Sequence, residues 1–233
     1  MTAEHVDPDP TGELRVRVAS VDDDTIMRDG LPVLMPQIEV VAAFADADTL
    51  LAASPEADVV LLDLKLAGTG QVPVLQGPPA VSAVVTAGYR VLVYTNERRR
   101  AVLVNCLATG ACGVVHKAEP LSALRDAVTR VAKGQIVITQ ALTGLAELAE
   151  RRGRLTALTP RERQVLSGRA RGESFRSIGE RLFISERTAE GYMKGVNNKF
   201  AAFLRDHSPA DLEHYLGLEP TDLTDWQPSG PRP

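Results

Sequence analysis

Cysteine is scarce in this sequence: there are two, Cys106 and Cys112. Two thiols make neither a disulfide framework nor a zinc site, and nothing near His116 has ligand spacing. Both read as small core or near-core residues in a reducing compartment. Long apolar runs are missing as well, and none approaches the ~20 residues needed to cross a bilayer. The N-terminus, MTAEHVDPDPTGE, is polar and acidic and lacks the apolar stretch of a signal peptide. No membrane partner is expected, and the expected location is the cytoplasm. The sequence has no internal repeat. Its one tryptophan, Trp226, lies in an acidic, Pro-rich C-terminal stretch with little to pack against. An overall excess of positive charge is also absent. The net charge is −4, which taken alone counts against a nucleic-acid partner.

The distribution of charge reverses that inference. Residues 151–206 hold 13 Lys or Arg against 6 Asp or Glu, an excess of +7, and the remainder carries −11. A basic module in an acidic chain is the electrostatic footprint of DNA binding.

From Arg15 onward, short apolar runs alternate with helical segments. Strands are predicted over 15–21, 39–43, 59–62, 90–94 and 113–116, with helices over about 25–34, 47–53, 81–87, 98–108 and 121–132. Such alternation implies a parallel sheet covered on both faces, whose buried strands read as continuous apolar runs. Val59-Val60-Leu61-Leu62 is one. The domains expected are a disordered lead-in (1–13), a doubly wound α/β domain with a five-stranded parallel sheet (14–138), a linker helix (139–154), a small all-α domain (155–218) and a flexible tail (219–233).

The all-α domain carries explicit punctuation. Thr159-Pro160-Arg161-Glu162 is a capping box, with Thr at the N-cap, Pro at the first helical position and Glu three residues on. Gly172 breaks the chain, Ser174 caps a second helix through Leu182, and Ser185 caps a third. Ser208-Pro209 starts a fourth, which Gly217 stops. Two short helices joined by a tight turn form a helix-turn-helix. The stretch from Leu158 to Phe200 resembles the LuxR-type DNA-binding domain, through Leu158, Thr159, Arg161, Glu162, Gly172, Ile178, Leu182, Ile184, Ser185 and Thr188. The resemblance implies double-stranded DNA as partner. The residues expected to meet it are Arg176, Ser185, Arg187, Thr188, Lys194 and Lys199, with Arg187 best placed to reach a guanine edge. The third helix departs from the family's usual Thr-Val-Lys-x-His: here it reads Thr188-Ala189-Glu190-Gly191-Tyr192. A carboxylate thus replaces a phosphate-seeking lysine. Gly191 and Gly195 each cost a helix about 1 kcal/mol relative to alanine.

In an open parallel sheet, ligands bind beyond the carboxyl ends of the strands. The first strand here ends in Asp22-Asp23-Asp24, the third in Asp63, the fourth in Thr95 and the fifth in Lys117. Carboxylates gathered at one site repel one another and favour a divalent cation, and hard oxygen ligands with open positions suit Mg²⁺. Asp63 could then attack a phosphorus centre and become an acyl phosphate. Thr95 can donate its hydroxyl to the new group, while Lys117 offers the opposite charge. VRVASVDDDTIMRDGL, VVLLDLKL, RVLVYT and GVVHK resemble the receiver domain of two-component response regulators, over about Val16–Val137. By that resemblance Asp22 and Asp23 are the metal-side pair, completing with Asp63 the set around Mg²⁺, and Asp63 is the phosphoacceptor. Thr95 is the switch hydroxyl and Lys117 the phosphate-pairing base.

A receiver followed by a LuxR-type domain resembles the NarL/FixJ class of regulators. The function this implies is phosphorylation-controlled transcription regulation by a homodimer, with a sensor histidine kinase as donor. Two alternatives stand beside it: a regulator indifferent to phosphate, and an aspartate-dependent phosphohydrolase. The second is disfavoured because Lys65, not an acid, lies two residues beyond Asp63. Several positions depart from the receiver pattern. Val114 stands where an aromatic is usual, and Asn96 where a small residue is. Pro32 falls inside the first helix, and the Gly/Pro-rich stretch after Asp63 predicts a short third helix. Gly68-Thr69-Gly70 reads as a turn, and Arg98-Arg99-Arg100 as a solvated helix face.

Overall fold

The computed structural model describes residues 15–66, 74–138, 140–155 and 158–219. The Gly68–Gly70 turn, the expected lead-in and Trp226 lie outside those residues. The first half alternates as β1 (Arg17–Val21), α1 (Thr25–Leu34), β2 (Glu39–Phe44), α2 (Ala47–Ala53), β3 (Val59–Leu62), α3 (Gly77–Thr86), β4 (Val91–Thr95), α4 (Arg100–Ala108), β5 (Gly113–His116) and α5 (Leu121–Ala132). All five strands are parallel, in the order β2-β1-β3-β4-β5. β3 and β4 are buried at every position, as their unbroken apolar runs require.

Because side chains alternate across a strand, the sheet has two cores. Val18, Val59, Leu61 and Leu92 pack on one face with Leu31 of α1 and Leu124, Val128 and Val131 of α5. Ala19, Val21, Val60, Leu62, Val91 and Val93 pack on the other, beneath α2, α3 and α4. The third helix is not short. It starts four residues before the expected position and runs for 10, because Pro78 falls in its first turn, where a missing N–H costs nothing. Pro32 is accommodated near the end of α1, which stops at Leu34.

The second half is helical: α6 (Gln140–Arg151), α7 (Pro160–Ala170), α8 (Phe175–Leu182), α9 (Glu186–Asp206) and α10 (Pro209–Leu216). The caps fall where the sequence puts them. Thr159 and Glu162 close a reciprocal capping box, while Ser174, Ser185 and Ser208 each accept from a backbone N–H three residues on. α9 spans 21 residues and passes through both glycines. Gly195 has a packing reason, since a Cβ there would sit 2.6 Å from Glu162 Oε1; Gly191 has none, with nothing within 4 Å.

α6 is not a free connector. Its Leu142, Leu145, Ala146 and Ala149 are buried, and it packs on α7, α4 and α10. α4 is buried nearly all round, with Val102, Leu103, Val104, Cys106 and Leu107 each at most 5% exposed. One side of α4 covers the sheet and the other meets α6 and α9, so a single apolar cluster runs from the sheet into the helical half.

Candidate functional site

In this strand order the direction in which strands are added reverses between β1 and β3, and a crevice opens there at the carboxyl ends. Parallel pairing fixes its rim. The Asp63 N–H donates to Val21 O at 2.9 Å, the Asp22 N–H to Phe44 O at 3.0 Å, and the Lys117 N–H to Thr95 O at 2.9 Å. Asp22, Asp63, Thr95 and Lys117 therefore meet although Asp22 and Lys117 stand 95 residues apart in sequence.

The four side chains form one network. The Lys117 ammonium lies 2.7 Å from Asp22 Oδ2 and 2.7 Å from Asp63 Oδ2. The Thr95 hydroxyl donates to Asp63 Oδ1 at 2.7 Å, and that oxygen also accepts from the N–H groups of Leu64 and Lys65. Asp22 and Asp63 are buried, and Thr95 is fully so. Burial raises the pKa of Asp22 from its ordinary value, against the pull of Lys117. Burial also works against the Lys117 charge, but two carboxylates in contact outweigh it and hold the ammonium above the ordinary lysine value. Asp23 is more exposed than its neighbour. Ligand oxygens of Asp22, Asp23 and Asp63 lie within 4.8 Å of one another, an all-oxygen donor set that fits a hard divalent cation.

Just beyond Thr95 stands a group that the sequence reading passed over. Glu97 is 6% exposed. Its N–H donates to Thr95 Oγ1 at 3.2 Å, and its Oε1 accepts from the N–H groups of Arg98 and Arg99 at 2.8 Å each. The Arg99 guanidinium donates to Oε2 at 2.7 Å. Burial opposes this carboxylate, yet Arg99 and the backbone donors bring its pKa down to about 2. The arginine run is thus only partly a solvated face: Arg99 serves Glu97 and Arg98 reaches His116 Nε2 at 3.4 Å. Only a buried-carboxylate argument could have found Glu97, because its neighbours Asn96, Arg98, Arg99 and Arg100 all read as surface.

The residues expected at DNA are scattered in their engagements. Arg187 and Lys194 are exposed on α9. Ser185 and Thr188 share a hydroxyl–hydroxyl bond at the helix start, and Arg176 pairs with Glu180 along α8. Lys199 is drawn inward to the capping-box carboxylate of Glu162 at 2.8 Å. The tight turn between α8 and α9 depends on Gly179, where a Cβ would meet Ile184 O at 2.8 Å. Phe183 in that turn has φ 55 and is 95% exposed.

One face of α9 is turned towards the first half of the chain. Asn197 Nδ2 donates to Ile136 O at 3.3 Å. Met193 and Asn197 line a cleft of about 180 Å³ with Asp126 and Arg130 of α5, Arg169 and Phe175. Burial lowers the pKa of Arg130, and the charges of Glu190 and Asp126 partly offset that. Glu190 therefore lies within electrostatic reach of α5.

Comparison with known proteins agrees with both halves. The family described as "Bacterial regulatory proteins, luxR family" matches residues 156–206. The chain is 30% identical over 190 residues to the nitrate/nitrite response regulator protein NarL of Escherichia coli, covering 77% of this chain and 86% of that one. It is 32% identical over 198 residues to the response regulator RamR of Streptomyces coelicolor, covering 82% and 92%. Among solved structures, a complex described as two RcsB dimers bound to two parallel DNAs shares the fold, with a TM-score of 0.51, 21% identity and coverage of 88% and 98%. RcsB of Salmonella typhimurium aligns with a TM-score of 0.50 at 22% identity, covering 90% and 97%.

Proposed function

Because this chain belongs to the NarL/FixJ-type two-component response regulators, we propose that Asp63 accepts a phosphoryl group and that the event governs DNA binding by α7–α10. One observation carries the reading. At the switch point of the sheet, a carboxylate is held at 2.7 Å by a hydroxyl and at 2.7 Å by an ammonium, beside two further carboxylates.

In the transfer, an Asp63 oxygen attacks the phosphorus of a phosphohistidine on a sensor kinase, or of a small acyl phosphate. The bond from phosphorus to the donor breaks, its electron pair leaves with the donor, and Asp63 becomes an acyl phosphate. Mg²⁺ held by Asp22, Asp23 and Asp63 would supply the charge that neutralises the incoming phosphoryl oxygens. Lys117, with its raised pKa, remains charged and can pair with the product phosphate. Thr95 can turn its hydroxyl from the carboxylate to a phosphoryl oxygen. A regulator is favoured over a phosphohydrolase because the second position after Asp63 is Lys65, which offers no general acid of the carboxyl kind.

The docking of Met193 and Asn197 against the receiver half supports reading this arrangement as the silent one. DNA binding then proceeds through the exposed Arg187 and Lys194, with Arg176, Ser185 and Thr188 at the backbone, in a homodimer working in the cytoplasm. Lys199 reaches DNA only if it leaves Glu162.

Acetyl phosphate plus Mg²⁺ is expected to label the protein with an acid-stable, base-labile phosphate that Asp63→Asn lacks. Unchanged labelling of Asp63→Asn overturns the assignment. Genomic binding sites mapped with both proteins side by side check that the label controls DNA occupancy.

A further inference from the structure

The pocket and the DNA-reading helix do not touch, so a phosphoryl group on Asp63 needs a physical route to α9. Val114, buried at the centre of β5, has no side chain long enough to carry a change outward. The β4–α4 loop is different, because it contacts the pocket at one end and opens α4 at the other. α4 in turn packs directly on α9.

We propose that Glu97 is a positioning residue that ties the Thr95 hydroxyl to the N-cap residue of α4, so that phosphorylation of Asp63 is transmitted to α9 through this loop. The inference rests on the phosphoacceptor reading given above. Three features support it. First, the Thr95 hydroxyl has one proton, committed to Asp63 Oδ1, and its oxygen accepts the Glu97 N–H. A phosphoryl group moves the acceptor for that proton away from the carboxylate, and the hydroxyl follows. The Glu97 N–H is buried, so it must follow too or lose its acceptor.

Second, the Glu97 carboxylate is bonded to the N–H groups of Arg98 and Arg99 and to the Arg99 guanidinium, so these residues move as a unit. Arg99 is the N-cap of α4 and makes no side-chain cap of its own. The Glu97 carboxylate accepts from the N–H of that N-cap residue and so fixes the entry to the helix, with a negative charge near its positive end. Third, α4 is packed on both sides, and interiors packed this closely pass on a shift rather than absorb it. An ordinary surface turn needs neither an arginine counter-ion nor burial beside the phosphoacceptor's own hydrogen-bond donor.

The experiment uses the full chain with acetyl phosphate and Mg²⁺. It measures labelling of Asp63 and DNA affinity with and without the label, for wild type, Glu97→Gln and Glu97→Ala. Both variants are expected to take up the label and to keep the unphosphorylated DNA affinity. The affinity ratio between labelled and unlabelled protein should collapse by about 5-fold or more, the lower end of ordinary couplings between sites. Should Glu97→Ala fail to fold, Glu97→Gln, which matches the native volume, carries the comparison. Variants that take up the label and keep the wild-type ratio overturn the role of Glu97. A wild type that is not labelled, or is labelled with no change in affinity, overturns the phosphoacceptor reading itself, which is a separate failure.

Discussion

In the crevice of the sheet, Lys117 touches both Asp22 and Asp63, and Thr95 closes on the remaining oxygen. Along α9, by contrast, neighbouring charges serve different masters. Arg187 and Lys194 face solvent, Glu190 lies in the field of Arg130, and Lys199 is spent on Glu162. The pocket's charges take their meaning from one another, because strand ends force them together and burial holds them there. The helix's charges take theirs from whatever docks: DNA, the receiver half, or α7. A substitution in the pocket should therefore act on one equilibrium, and a substitution on α9 on several at once.

The largest expected effect tests the buried side. The folded pKa of Glu97 lies at about 2, below the ordinary 4.5. A depressed carboxyl contributes stability that is fully present above the unfolded value and disappears as pH falls through the folded one. The contribution is roughly 3 kcal/mol at neutral pH, lost between about pH 5 and pH 2. Urea unfolding across that range should show a flatter acid limb for Glu97→Gln. An acid limb as steep as wild type would place this carboxylate outside the network.

A smaller effect tests the helix side. Glu190→Lys in a fragment spanning residues 140–233, which keeps α6 with α7, should tighten DNA binding generally and steepen its salt dependence by about 0.9, one phosphate contact. In the full chain the same change also sets a lysine against Arg130. There the gain should be larger by up to about fivefold, the scale of a charge pair worth ~1 kcal/mol. Equal gains in both proteins would mean that α5 does not feel residue 190. An unchanged salt slope in the fragment would turn residue 190 away from DNA.

The smallest effect separates two residues on one helix. Gly191→Ala should raise stability by about 1 kcal/mol, since nothing crowds its Cβ. Gly195→Ala should lower it, because the new carbon meets Glu162 Oε1 at 2.6 Å and the gain in propensity cannot offset the displaced carboxylate. Denaturation midpoints that move in the same direction would break the packing of Glu162 on α9.

The legible parts of the sequence were those set by local chemistry. Asp22, Asp63, Thr95 and Lys117 could be found because each follows an apolar run, and such runs end where a parallel sheet ends. The caps at Thr159, Ser174, Ser185 and Ser208 were readable because a side chain and a backbone N–H three residues apart determine them. What escaped depends on distant neighbours. Gly77-Pro78-Pro79 reads as loop by composition, yet proline suits a helix's first turn. Glu97 reads as surface because no periodicity records that β4 and α4 enclose it. The amphipathic pattern of α6 showed that one face is apolar but not that α7 covers it, and the pairing of Lys199 with Glu162 spans 37 residues.

The burial of α4 on both sides has a consequence for concentration. If α9 swings away to meet DNA, apolar side chains that it now covers enter water, at about 25 cal/mol for each Å² uncovered. A second copy that covered the same helix would recover that free energy, so release of the DNA-reading helix and pairing of protomers become one linked equilibrium. The active fraction would then climb with the total amount of protein as well as with the phosphate proposed for Asp63, giving a threshold response in which dilution alone switches the regulator off.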